Sequence, residues 1–277
     1  LNNPFKAAGK GVHVKISEVF CKSILVPSRI YGVDYALNPY TGCQHNCAYC
    51  YAVFMKKFSN HSQPWGEFVD VKINAPTILK KQLKQRKQGR VLVSSVTDAY
   101  QPIEEQYEVT RRCLQQFSDT SWMVSILTKS SLVVRDIDVL KTLNCEVGFT
   151  FTTFDEHIKP IFEPGSASVE DRLDALGTIH ETHIPTYAFF GPLIPTFSDT
   201  QESLETMFNA VKDCVRYVIV DRMNFYDQPW KRVQSVLHAW DPELIATFDR
   251  IRKDPAYETT LRNRIQKAAT VPVEFCF

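Results

Sequence analysis

The 277-residue chain has no surplus of either charge: 32 Lys and Arg stand against 31 Asp and Glu, a formal net charge of +1. The simplest electrostatic footprint of a nucleic-acid binder, a global basic excess, is therefore missing, while a local basic groove stays open. Long apolar runs are missing as well. Runs such as Tyr217-Val218-Ile219-Val220 have the size of a strand and not of a membrane span. Residues 1–12 carry Lys6 and Lys10 and lack the continuous apolar stretch of a secretory signal. The expectation is a cytoplasmic protein with no membrane attachment. No internal repeat and no Ser-, Gly- or Pro-rich linker divides the chain. Cysteine is too dilute for a disulfide-stapled domain, at 8 residues in 277. In a reducing compartment, clustered cysteines point to metal or redox chemistry before disulfides. What the chain does have is apolar material, 44% of its residues with 12% aromatic, enough for one sizeable core and too much for a disordered chain.

Short β-branched or aromatic runs alternate with helical patterns, the rhythm of a parallel sheet with crossover helices. Strands are predicted at Tyr35–Asn38, Arg90–Ser94, Trp122–Leu127, Glu146–Thr152, Ile184–Phe190 and Arg216–Val220. Helices are predicted at Ala75–Lys87, Glu105–Phe117, Leu132–Leu143, Ser168–His180 and Thr200–Lys212. Ser168 with Asp171 forms a capping-box-like start after the Pro164-Gly165 turn, and Leu173, Leu176 and Ile179 fall on one stripe. The expected organisation is an N-terminal extension packed on the barrel (1–34), a core (35–225) and a helical tail (226–277) containing Gln228–Trp240, Pro242–Arg252 and Tyr257–Ala269. Six β/α units followed by helices fit an α/β fold of the partial (β/α)6 barrel kind, although a doubly wound sheet has the same alternation. In either, the residues just after each strand carry the chemistry.

The most informative of those segments follows the first strand: Asn38-Pro39-Tyr40-Thr41-Gly42-Cys43-Gln44-His45-Asn46-Cys47-Ala48-Tyr49-Cys50-Tyr51. Three thiols lie on one loop at C-x3-C-x2-C. Thiolates select Fe–S clusters or zinc, and ligand number separates the two. A structural zinc site uses four protein ligands, and so does an ordinary electron-transfer cubane. A cubane held by three leaves one iron open. His45, between two of the cysteines, reads as a surface or packing residue more than as a fourth ligand.

With an aromatic before its last cysteine, the loop resembles the radical S-adenosylmethionine (SAM) superfamily. The longer string N-P-Y-x-G-C-x3-C-x-Y-C-Y resembles more narrowly the branch that contains spore photoproduct lyase. The resemblance implies a partial barrel with a [4Fe–4S] cluster on Cys43, Cys47 and Cys50, and SAM on the open iron. Reductive cleavage of SAM then gives methionine and a 5′-deoxyadenosyl radical that abstracts hydrogen from a substrate. Tyr49 is implied to lie along the adenine and cover the site. Ser95, Thr97 and Asp98, after strand two, stand where the superfamily faces the methionine amino group. Lys129, in Thr128-Lys129-Ser130, is implied to approach the carboxylate, and Thr150 the ribose. The Glu163-Pro164-Gly165 and Asp171-Arg172-Leu173 segments make Arg172 a carboxylate clamp. The superfamily also implies an external electron donor of the flavodoxin or ferredoxin kind.

One departure bears on substrate. Where spore photoproduct lyase has a cysteine that returns hydrogen to the product radical, this chain has Ser95, whose O–H bond is too strong for that task. Tyr49, Tyr51, Tyr100 or another cysteine would have to serve, or the deoxyadenosine itself. Cys21, Cys113, Cys145, Cys214 and Cys276 read as small buried hydrophobes. Lys80–Arg90 carries six basic residues. Lys80, Lys84 and Lys87 share a helical face that reads either as a solvated helix end or as a nucleic-acid contact. The substrate expected by resemblance is a nucleic acid or nucleotide. The alternatives are radical chemistry on a small molecule or peptide, and a non-catalytic Fe–S or zinc redox module.

Overall fold

The computed structural model describes residues 14–277. Its main sheet contains β2 (Leu25–Pro27), β3 (Tyr35–Leu37), β6 (Arg90–Val93), β7 (Met123–Thr128), β8 (Asn144–Phe151), β9 (Thr186–Leu193), β10 (Val218–Arg222) and β11 (Val273–Phe275). The spatial order is β11-β10-β9-β8-β7-β6-β3-β2. The six predicted strands are β3 and β6 to β10, all parallel and adjacent in chain order. No reversal of order occurs, so the sheet is not doubly wound. β2 and β11 are not paired to each other, so the barrel stays open.

Side-chain alternation explains both faces of this sheet. Val91, Val93, Val124, Ile126, Val147, Phe149, Ala188, Phe190, Val218 and Val220 form the convex side and pack into the core. Over them lie α1 (Ala75–Gln85), α6 (Val169–Glu181), α7 (Gln201–Val211) and α10 (Tyr257–Ala268), which bury Leu79, Leu176, Ile179, Leu204, Phe208, Leu261 and Ile265. The Ser168 hydroxyl accepts the Asp171 N–H at 2.9 Å, the expected helix start.

Two predicted helices are broken. Glu105–Phe117 is instead α2 (Glu104–Tyr107), α3 (Val109–Leu114) and a final tight turn. Glu108 between them is left-handed at φ 50°. Fully buried Glu104 accepts the amides of Thr110 and Arg111 at 2.9 and 3.1 Å, capping α3 from outside. Leu132–Leu143 is a 3-10 segment followed by α4 (Ile137–Leu140). The break falls at Asp136, whose carboxylate takes Arg111 at 3.0 Å and Arg135 at 2.8 Å.

A second sheet was not foreseen: β1 (Lys15–Val19) runs parallel to β5 (Phe68–Lys72), which pairs antiparallel with β4 (Tyr40–Thr41). It holds both ends of the cysteine loop region, and residues 14–34 of the expected extension join the two sheets through β1 and β2. Residues 1–13 lie outside the described part. The tail forms α8 (Asp227–Trp240), α9 (Glu243–Lys253) and α10, then returns as β11 beside β10. No helix among the described residues is long and apolar enough to cross a membrane.

Candidate active site

The concave side of the barrel is stacked in three layers by the same alternation. At the amino ends of the strands stand Arg90, Ser125, Glu146, Tyr187 and Tyr217. Ser125 donates to Glu146 at 2.8 Å, Tyr217 donates to it at 3.2 Å, and Arg90 closes an ion pair with it. Tyr187 and Tyr217 stack at 5.2 Å. Above them come Leu92, Leu127 and Phe189, an apolar collar. At the carboxyl ends stand Ser94, Lys129, Thr150, Gly191 and Asp221. The upper two layers, with the cysteine loop, line a cavity of about 290 Å³.

Cys43, Cys47 and Cys50 all face that cavity. Their loop is shaped by contacts from three directions. Gly42 is left-handed at φ 92°, and a Cβ there would run into the Phe68 carbonyl. Thr97 donates to the Gly42 carbonyl at 2.6 Å, and the Gln101 amide oxygen accepts the Gln44 N–H at 2.9 Å. From the segment after β8, the Phe162 carbonyl accepts the Ala48 N–H at 2.8 Å, and Gly165 N–H donates to the His45 carbonyl at 3.1 Å. From α8, Arg232 donates to the Asn46 side chain at 2.7 Å and to the Trp65 carbonyl at 3.0 Å.

Burial pushes all three thiols up, Cys43 well above its ordinary value, Cys47 to about 12 and Cys50 in the same direction. Alone they are neutral thiols, and only a bound metal would hold them as thiolates. Among the described residues, no three His, Cys, Asp or Glu side chains converge on a position for one metal ion. A cubane asks for less, because each of its thiolates binds a different iron. The donor set fits such a cluster.

Tyr49 reaches from the loop to the opposite wall. Its hydroxyl bonds Glu163 and lies 2.8 Å from Thr152, while Lys129 Nζ sits 5.8 Å from its ring centroid. Burial works against ionising Glu163, but the Arg172 guanidinium, with Lys129 and the Thr152 and Tyr49 hydroxyls, holds it down at about 2. Here the clamp expectation for Arg172 fails. Arg172 is 0% exposed, donates to Glu163 at 2.9 Å and to the Thr150 carbonyl at 2.7 Å, and does not line the cavity. It fixes Glu163, which fixes the Tyr49 ring; a fully buried guanidinium behind the wall has no route to a ligand carboxylate.

The other expected residues line the cavity, with different amounts of bonding capacity left. Asp98 accepts from Tyr100 N–H at 2.9 Å, Thr128 hydroxyl at 2.7 Å and Lys129 N–H at 2.8 Å, and His45 stands 3.4 Å away. Burial opposes its ionisation, yet His45 and these donors keep it at about 2. Its carboxylate is a brace between β6, β7 and the cysteine loop. His45 is neither a surface residue nor near a fourth-ligand role; it is buried in that brace. Ser95 bonds Asn38 at 3.2 Å, and its carbonyl accepts the Tyr51 hydroxyl. Ser94, at φ 71°, has a buried hydroxyl with no partner among the described residues. Lys129 and Thr150 complete the wall.

Sequence reasoning missed Asp221, Arg232 and Ser94. Asp221 is the penultimate residue of β10, lines the cavity and makes no ion pair or side-chain hydrogen bond among the described residues; burial raises it to about 6. Its position one residue after a predicted strand was the signal available. The run Lys80, Lys84 and Lys87 is exposed at the α1 end that leads into the amino end of β6, away from the cavity.

The chain matches the radical SAM superfamily over residues 37–209. It is 43% identical over 190 residues to an uncharacterized protein of Methanocaldococcus jannaschii, covering 68% of this chain and 71% of that one. An uncharacterized protein of Mycobacterium tuberculosis is 24% identical over 270 residues, 91% and 79% of the two chains. A variant of spore photoproduct lyase superposes with TM-score 0.72 at 15% identity, covering 99% of this chain and 86% of that one. Another, with bound AdoMet and dinucleoside spore photoproduct, gives 0.70 at 13% identity, with 100% and 86% coverage. At such identities the likeness is one of fold. The superfamily match spans the cysteine loop and four whole strands of the parallel set, β6 to β9, with the last residue of β3, so the chain belongs to the radical SAM superfamily and is a radical SAM enzyme.

Proposed function

We propose that Cys43, Cys47 and Cys50 hold a [4Fe–4S] cluster, that SAM binds beside it in the same cavity, and that the substrate is a nucleotide or a nucleic-acid base. A cluster so held supplies one electron to bound SAM, and the resulting 5′-deoxyadenosyl radical takes a hydrogen atom from the substrate. The observation that carries the reading is three thiols on one loop, two buried and one half-buried, facing a cavity at the carboxyl ends of six parallel strands. Lys129 offers its ammonium to the SAM carboxylate. Ser94, with its unused hydroxyl, and Ser95 offer acceptors to the amino group, while Asp98, already satisfied, keeps the wall in place; Thr97 fixes the loop through the Gly42 carbonyl. Thr150 presents a hydroxyl to the ribose. Tyr49, held by Glu163 and Thr152, closes the site over the adenine and keeps water out.

The mouth favours a planar substrate. Ile30 and Tyr51 line it, with Tyr51 52% exposed; Tyr31 and Phe54, close to them in the chain, are exposed as well. Aromatic faces open to solvent are platforms for base stacking. Lys80, Lys84 and Lys87 are not among the residues that line the cavity. Anaerobic reconstitution, followed by dithionite and SAM, tests the reading: a cluster absorption band and 5′-deoxyadenosine are expected, and absence of both would overturn it. A nucleotide substrate is recognised by deuterium passing from labelled nucleotides, but not from labelled peptides, into 5′-deoxyadenosine. The reverse labelling would replace it with a peptide substrate.

A further inference from the structure

Between the cysteine loop and β5, the structure buries a hydrogen-bond donor that has nothing to donate to. Trp65 is 2% exposed and packs with Cys43, Cys50, Ala52 and Phe68, its ring edge-on to Phe68 at 5.9 Å. Its indole N–H meets no acceptor among the described residues. A donor left dry in this way costs about 1–3 kcal/mol, and a buried tryptophan N–H usually finds a partner. The group it bears on is the Cys50 sulfur. Cys50 packs in the same cluster as the ring, with the Trp65 side chain directed at its sulfur as a donor. A thiol is a weak acceptor; a thiolate is a strong one.

Arg232 stands in the same position relative to the loop. Its Nε is also buried without a partner, while its terminal nitrogens donate to the Trp65 carbonyl and to Asn46. The terminal nitrogen that bonds Asn46 also lies 3.4 Å from the Cys47 carbonyl, which holds the guanidinium against the loop. A cation half-desolvated beside two neutral thiols is poorly served; beside two metal-bound thiolates it is well served.

We infer that Trp65 Nε1–H is a positioned donor to the Cys50 sulfur when that sulfur ligates the cluster, with Arg232 bracing the indole through its carbonyl, and that the two residues raise the cluster's reduction potential. The inference rests on the cluster assignment proposed above. The reduced cluster carries one more negative charge than the oxidised one. A hydrogen bond or a cation at a ligating sulfur therefore favours the reduced form.

The test uses the full chain, reconstituted anaerobically, with iron and sulfide quantified before an EPR-monitored redox titration. Trp65→Phe keeps the ring and removes the donor. The expected result is wild-type iron content with the equilibrium constant for one-electron reduction about tenfold lower, a midpoint 59 mV more negative. Arg232→Gln keeps a donor for the carbonyls and removes the charge, and a smaller shift of the same sign is expected. A midpoint unchanged or more positive in Trp65→Phe overturns the inference. If Trp65→Phe does not load iron, the Arg232→Gln midpoint decides, and no shift there overturns it equally. Wild-type protein that binds no cluster would instead sink the proposed function, and iron content separates the two failures.

Discussion

The two ends of the barrel's concave side are built from the same strands at the same period, yet they treat polar groups in opposite ways. At the amino end, Arg90, Ser125 and Tyr217 all converge on Glu146, although Arg90 Nε has no partner among the described residues, and Tyr187 stacks on Tyr217. At the carboxyl end, among the described residues, Ser94 has an unpartnered hydroxyl and Asp221 no side-chain partner, and the thiols of Cys43, Cys47 and Cys50, the first two buried, face the cavity. Buried polar groups that are satisfied hold a fold together; those left open are waiting for a ligand. The contrast separates plug from site without reference to any relative.

The sharpest way to break this contrast is at the cysteines. Cys43→Ala, Cys47→Ala or Cys50→Ala should each abolish the cluster absorption band and reduce 5′-deoxyadenosine to background, while Cys145→Ala, at the amino end of β8, keeps both. Retention of the band in any of the three would show that the open end is not a three-thiol site. Next comes Arg172→Met, which strands Glu163 without its ion pair inside the wall. Unfolding by denaturant should show a loss of about 3–5 kcal/mol, since an uncompensated buried charge remains.

A smaller effect is expected at the plug. Glu146→Gln should lose about 1–3 kcal/mol by the same measurement, through weakened bonds to Ser125, Tyr217 and Arg90, with iron content and 5′-deoxyadenosine yield unchanged. A change in iron content would mean that the two ends are coupled. The smallest signal concerns Asp221, whose acidity constant burial moves from 3.8 to about 6. Between those values the folded state binds more protons than the unfolded one, so stability falls as pH rises through that window and levels off above it. Asp221→Asn should remove this slope in unfolding curves taken across the window; an unaltered slope would assign it elsewhere.

Much of the scaffold was legible in the residues themselves. Val91, Val93, Val124, Ile126 and their counterparts announce strands through β-branching, and the Ser168–Asp171 cap through a local bond. The cysteine loop was legible because its ligands share a segment. What escaped depends on partners far along the chain. β1 and β5 pair across some fifty residues with no turn between them to announce it. Glu104 breaks a regular helical pattern by reaching forward to cap α3. Arg172 was misread because a clamp and an internal brace ask for the same residue, and only its burial against Glu163 separates them. Asp221 reaches the cavity, and Trp65 and Arg232 reach the cysteine loop, from widely separated parts of the chain, and nothing in their sequence neighbours hints at it.

Arg232 has one more consequence. It belongs to the tail, on α8, yet it grips Asn46 and the Cys47 carbonyl in the heart of the cysteine loop. With the proposed cluster in place, iron retention and the docking of the tail would therefore be mechanically one event. A protease cut in the segment between β10 and α8 would register first as release of iron, before any loss of the barrel's own secondary structure.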